Sequence, residues 1–274
     1  MPRRQARVAP SEHEPSGPLL RVEHVRLGYW TARQFTVAVE DVSFDVEAGE
    51  RIIVIGPSGC GKSTLLKAIA GFIEPAGGLI QMAGRTSLAP GPDRAVVFQE
   101  FDQLFPWRSV LSNVAYPLRV NGHRRRAAIA KARQYLELTN LAHAADRYPH
   151  QLSGGMKQRV AIARALALDP TLLLMDEPFG SLDAITRQRL QTELNRIVEQ
   201  TRVTLLFVTH SIEEALVLGD RIVVLGDAPS RVIATVDIRG LGGPETVEYS
   251  QMRGRLRELL AVDKEEVEEI GGLE

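Results

Sequence analysis

The sequence predicts an α/β protein: a mainly parallel sheet with helices on both faces, a β-rich N-terminal part and an inserted helical block. Three observations predict it. Short apolar, β-branched runs alternate with helix-forming stretches. A glycine loop, GPSGCGKST at 56–64, sits between one such run and one such stretch. From about 104 to 168 the pattern is helical without a strand signal.

The elements follow in order. Residues 1–18 hold Pro2, Pro10, Pro15 and Pro18 and no apolar run, and read as a disordered tail. The stretch 19–55 reads as β-rich. Val42-Ser43-Phe44-Asp45-Val46 alternates as a half-buried strand does, Arg51-Ile52-Ile53-Val54-Ile55 reads as a buried parallel strand, and 28–34 reads as irregular. Thr64–Ala70 is helix-forming, and Gly71 stands where a helix stops. Residues 78–83 and 94–98 predict two more strands. Ala127–Leu138 is rich in helix formers. The runs 171–175 and 203–208 predict strands on either side of a helix over 183–200. Ser211 with Glu214 predicts a capping box opening the next helix. Beyond about 242, Met252, Leu256, Leu259 and Leu260 fall at helical spacing before an acidic run of Glu265, Glu266, Glu268 and Glu269.

Composition narrows the function. The 274 residues are 44% hydrophobic, enough for a large core, and the net charge of −1 gives no bulk basic field for nucleic acid. One cysteine, Cys60, excludes an intrachain disulfide and reads as a small loop filler in a reducing compartment. No apolar run approaches the roughly 18 residues of a membrane helix. The N-terminus has arginines but no apolar segment of a secretory signal.

The chemistry concentrates in five places. In the glycine loop, Gly56 and Gly61 let backbone approach phosphates, Lys62 brings a cation to β/γ oxygens, and the Ser63 hydroxyl can ligate Mg²⁺. Leu172–Met175 is an apolar strand ending in Asp176 and Glu177, one carboxylate suited to metal and one to water. Leu152-Ser153-Gly154-Gly155-Met156-Lys157-Gln158 opens a helix that Ser153 can cap, a second anion-binding helix end. Gln99 and His210 each follow a strand's C-terminal end, where open α/β sheets bind ligands.

Together with Ser181-Leu182-Asp183, these pieces resemble, in order and spacing over about 19–240, the ATP-binding subunit of an ABC transporter. LSGGMKQ is the most specific of them. The resemblance implies a P-loop NTPase (RecA-like) core with an N-terminal antiparallel β subdomain and an inserted α-helical subdomain at about 100–168, within a domain spanning 19–242. It implies that Gly56, Ser58, Gly59, Cys60, Gly61, Lys62, Ser63 and Thr64 cradle ATP, and that Ser63 and Asp176 hold Mg²⁺ with Gln99 sensing metal and water. Glu177 is then the general base and His210 contacts the γ-phosphate. Tyr29, or next to it Trp30, stacks on adenine. Ser153, Gly154 and Gly155 would close over ATP held by a second copy, with Asp183 at the interface, so a C2 pair completes two sites.

Details within that family resemble the nitrate/sulfonate/taurine importers: Asp102–Trp107, Tyr148–Gln151 and Met175–Gly180. Ser181 and Ser211 depart from that subfamily's usual residues, as does Asp237–Gly240. The resemblance implies a peripheral subunit at the cytoplasmic face of the inner membrane, bound to transmembrane permease subunits and served indirectly by a solute-binding protein, with no nucleic acid. Phe105 and Trp107 would lie at a groove for a permease helix, the alternative being packing within the insertion. A soluble ABC-type ATPase acting on nucleic acid or ribosomes is the competing reading; His123-Arg124-Arg125-Arg126 is its best feature. A cassette with a structural or regulatory role is the third, opposed by intact Glu177 and His210.

Overall fold

A computed structural model describes residues 17–30, 34–86, 89–99 and 103–271. The expected N-terminal tail lies almost wholly outside them, as does Asp102. Nine strands form one sheet: β1 (Leu20–Trp30), β2 (Phe35–Val46), β3 (Arg51–Ile55), β4 (Gly77–Met82), β5 (Arg94–Val97), β6 (Leu172–Asp176), β7 (Thr204–Thr209), β8 (Arg221–Leu225) and β9 (Ser230–Asp237). Their order is β4-β1-β2-β9-β8-β3-β7-β6-β5. The run from β8 through β3, β7 and β6 to β5 is parallel, while β1 pairs antiparallel with β2 and β4.

The central strands are apolar throughout because both faces are covered. Odd and even positions feed two separate cores. Ile53, Ile55, Leu173, Met175, Leu205 and Phe207 pack on one side with residues of α4 (Gly154–Leu166), α5 (Ala184–Thr201) and α6 (Ile212–Leu218). Ile52, Val54, Leu172, Leu174, Leu206 and Val208 pack on the other with Leu65, Leu66 and Ile69 of α1 (Lys62–Ile69) and with β1 and β2. Each such fully buried side chain contributes about 1.5–3 kcal/mol of transfer free energy. Helix α1 stops as expected: Gly71 takes φ +83°, and the Phe72 N–H closes on Lys67 O at 2.9 Å.

The insertion comprises α2 (Val110–Val120), α3 (Arg125–Leu138) and α4. Fully buried Asn113 ties its entrance. Its amide donates to Phe105 O at 3.1 Å and Arg108 O at 3.0 Å, and its oxygen accepts from Phe105 N at 2.8 Å. The C-terminal helix α7 (Val247–Gly271) buries Tyr249 and Leu256 and leans Met252, Leu259 and Leu260 on the first core.

Two local expectations are corrected. Residues 28–30 are not irregular but the end of β1, paired Gly28↔Val37, Tyr29↔Thr36 and Trp30↔Phe35. Glycine is needed at 28, where a Cβ would stand 2.3 Å from Thr36 O. The capping box at α6 is only half made. Ser211 Oγ accepts from Glu214 N at 3.2 Å, but the Glu214 carboxylate turns away to the Thr209 hydroxyl.

Candidate functional site

The glycine loop joins β3 to α1, and backbone geometry explains its glycines. Gly59 and Gly61 take φ +85° and +101°. A Cβ on Gly61 would stand 2.8 Å from Val39 Cγ2 and 3.0 Å from Ala38 O, so the loop packs directly against β2. Lys62 is 4% exposed and folds back, its Nζ donating to Gly56 O at 2.9 Å and Pro57 O at 2.7 Å. Cys60 is buried beneath the loop; burial pushes its thiol up, with the Lys62 charge opposing. That is the environment of an inert filler.

Strand β6 ends at this loop with Asp176, and Glu177 follows directly. Ser63 Oγ donates to Asp176 Oδ1 at 2.8 Å. Burial pushes the Asp176 carboxyl up, the Ser63 bond opposes that, and the neighbouring Glu177 charge adds to it. A hydroxyl and a buried carboxylate in contact, with lysines 62 and 67 close enough to be felt, fit a small divalent cation that takes its other oxygens from phosphate and water. Among the described residues no cluster of three or more His, Cys, Asp or Glu forms a metal cage.

Glu177 sits in the left-handed region, φ +42°, with its N–H bound to Val208 O at 2.9 Å. This turn aims the carboxylate back across β7, where Oε2 lies 2.9 Å from His210 Nδ1. Gln99 completes the group. A Cβ built on Gly180 would meet Gln99 Nε2 at 3.2 Å and Glu177 Oε2 at 3.8 Å. Gln99, Glu177 and His210 therefore converge around one glycine, although 78 and 33 residues separate them.

Ser153, Gly154 and Gly155 do not join that group. Ser153 caps α4, accepting from Met156 N at 3.4 Å, and no hydrogen bond or ion pair among the described residues links these three to the loop 56–64. Gly155 is instead pressed against α5: its Cβ would stand 2.7 Å from Thr186 Cγ2. Asp183 caps α5, accepting from Thr186 N at 3.0 Å, so the two helix starts lie side by side. Tyr29 is 56% exposed and Trp30 79%; both stand at the end of the β1–β2 ladder, whose residues Ala38 and Val39 touch the loop. Three residues of strand put Tyr29 about 10 Å along from that contact.

A groove of about 320 Å³ opens between the insertion and the sheet, lined among others by Phe72, Phe98, Phe105, Tyr116, Arg164 and Leu168. Phe105 belongs to both of its expected settings: it lines the groove, and its ring is braced edge-on by Tyr116 at 4.9 Å. Trp107 stands outside the lining, 71% exposed and 5.6 Å from the Phe105 ring. Sequence reasoning missed Asn113, which sets this loop, and the pair Arg187–Glu214 behind His210. A buried polar residue in an apolar helix face was the only available signal for either.

Comparison with known proteins identifies the family. The sequence profile of the ABC transporter family matches residues 39–180. The taurine import ATP-binding protein of Rhizobium johnstonii is 48% identical over 221 residues, 80% of this chain and 84% of that one. The nitrate import ATP-binding protein NrtD of Synechococcus elongatus is 50% identical over 210 residues, 75% of this chain and 76% of that one. Among solved structures, a dimeric ATP-binding cassette bound to ADP and Pi superposes with TM-score 0.71 at 31% identity, covering 81% of this chain and all of that one. The cbiO1 subunit from Clostridium perfringens, part of the cbiONQ transporter complex, gives TM-score 0.74 at 25% identity over 90% of this chain and 99% of that one. With the phosphate loop, the paired carboxylates and the LSGGM helix each in place, the chain belongs to the ABC transporter family, as one of its ATP-binding, ATP-hydrolysing subunits.

Proposed function

We propose that this chain energises an importer of a small anion, such as nitrate, a sulfonate or taurine, as a peripheral subunit at the cytoplasmic face of the membrane. The observation that carries the mechanism lies within one chain: Gln99, Glu177 and His210 gather around Gly180, while Ser153–Gly155 open α4 against α5, with no hydrogen bond or ion pair to that group among the described residues. One copy holds half a pocket. A second copy, arranged head to tail, supplies Ser153, Gly154 and Gly155, with Asp183 at the seam.

Within the half pocket, the backbone N–H groups of Gly56–Thr64 and the start of α1 receive the phosphates. Lys62 places its charge at the β/γ oxygens, and Tyr29 is placed to stack on the base. Ser63 and Asp176 would hold Mg²⁺, which supplies charge neutralisation on the phosphates when bound. Glu177 takes the proton of the attacking water, with Gln99 orienting that water and His210 hydrogen-bonded to both Glu177 and the γ-phosphate. The groove beside Phe105 receives a short helix of a permease subunit, its aromatic walls serving as anchors. A solute-binding protein acts through that permease. Attachment runs through the partner; no helix among the described residues is long and apolar enough to cross a membrane.

The import reading rests on the relatives' names, which specify taurine and nitrate import rather than nucleic-acid work. Two measurements test the proposal. Vesicles carrying the chain with its permease should accumulate labelled taurine or nitrate on ATP addition. ATPase activity strongly stimulated by double-stranded DNA would overturn the importer reading.

A further inference from the structure

Behind the Glu177–His210 contact lies a polar cluster that none of the motifs includes. Glu214 on α6 is 4% exposed, and its two oxygens serve different elements. Oε2 accepts from the Thr209 hydroxyl at 2.6 Å, at the end of β7. Oε1 faces α5, accepting from Gln191 Nε2 at 3.5 Å and lying 3.9 Å from Arg187 Nε. Arg187 in turn donates Nη2 to Leu182 O at 3.0 Å, the carbonyl beside Asp183. Thr209 Oγ1 also accepts from Ser211 N at 3.0 Å, so the residues on both sides of His210 are fixed to one hydroxyl that Glu214 holds. A polar cavity of about 30 Å³, lined by Glu177, Gly180, Arg187, Thr209, His210 and others, joins this cluster to the catalytic pair. That is room for a single bound water.

The chemistry is not what stability alone calls for. Ser211 already caps α6, so the Glu214 carboxylate is not needed there. Burying a carboxylate costs several kcal/mol unless it is paired, and an apolar side chain of similar volume would fill the site without that cost. What the carboxylate adds is a link. It connects the turn carrying His210 to the 180–183 segment.

We propose that Glu214 and Arg187 are a positioning pair for hydrolysis, holding His210 against Glu177 and tying both to the segment that meets the second copy. The inference rests on the site assignment above and deepens it: closure at Asp183 is transmitted through Leu182, Arg187 and Glu214 to the turn at 209–211. Neither residue is among those assigned to the nucleotide. Their loss should therefore lower turnover while leaving binding intact.

The test uses the full chain assembled with its permease subunits and compares E214A, E214Q, R187Q, H210A and E177Q. Turnover and KM for ATP are measured together with the affinity for a fluorescent ATP analogue. We expect E214A and R187Q to lower kcat about tenfold or more, with KM and analogue affinity within about twofold of the parent. E214Q keeps an oxygen for the Thr209 hydroxyl and should recover to within about threefold. Parent kcat in E214A or R187Q would overturn the proposal, as would a joint fall of kcat and affinity. Should E214A fail to fold, R187Q decides alone. H210A and E177Q separate the two layers: if they turn over like the parent, the site assignment itself fails. If they are slow while R187Q is not, only the positioning pair fails.

Discussion

Replacing Gly155 by alanine perturbs the LSGGM helix at a single point. The new methyl would stand 2.7 Å from Thr186 Cγ2 and 3.6 Å from Leu190 Cδ1. Carbon–carbon contacts settle near 3.5–4.0 Å, so α4 and α5 must separate by close to 1 Å or Thr186 must turn. Thr186 lies in the first turn of α5, and its own N–H is held by Asp183 at 3.0 Å. Overpacking of this kind costs about 1–3 kcal/mol. Alanine returns up to about 1 kcal/mol through helix propensity, leaving a net loss of about 0–3 kcal/mol. Because the net can be small, a double-mutant cycle with T186A is the decisive assay. Removing Cγ2 clears the clash, so G155A/T186A should show a favourable coupling of about 1–2.5 kcal/mol in urea unfolding. Turnover should fall in G155A and recover in the double variant, as the proposed contact of this helix start with the second copy's nucleotide requires. Analogue affinity at the chain's own loop should stay unchanged. A coupling energy of zero, or a G155A chain with full turnover and unchanged unfolding, would refute the packing argument.

Other outcomes follow from the same geometry. E177Q should lose about 10²–10⁴-fold in turnover while retaining ATP, and light scattering should show it accumulating as a pair in ATP; a chain that binds ATP yet stays single would contradict the shared pocket. S63A removes the 2.8 Å bond to Asp176 and the proposed oxygen ligand; the Mg²⁺ concentration for half-maximal turnover should rise about tenfold or more, read from a metal titration at saturating ATP. Asp169 tests pH dependence. Burial pushes its carboxyl up, but hydrogen bonds from Lys131 and Tyr135 outweigh that and hold it below the ordinary aspartate value. A depressed value means stability present above the unfolded-state pKa and lost as pH falls through the folded-state one. The stability difference between parent and D169N should thus be present near neutrality and vanish in acid, by urea midpoints across the range.

Much of this was legible in the sequence because the signals are local. A run such as Ile52–Ile55 is apolar at every position, and in the structure its odd and even members do enter two different cores. The phosphate loop, Asp176 and Glu177 are likewise contiguous with the strands that present them. What stayed hidden depends on distant partners. Glu214 obeys the Ser-x-x-Glu pattern whichever way its carboxylate turns, and only Thr209, Gln191 and Arg187 decide that direction. The 28–30 segment carries no clear alternation of its own, and only its antiparallel ladder to 35–37 makes it a strand. Gly155 reads as a freed helix end, yet its contact with Thr186 across 31 residues also requires it to be glycine.

The folded-back Lys62 has a consequence for the resting subunit. Its ammonium is satisfied by two carbonyls of its own loop, so the fold does not depend on a tenant. On the proposed assignment, an arriving phosphate would offer the amine new acceptors in place of these two carbonyls, which would take it back when product leaves. A motor built this way can idle between strokes without unravelling its grip.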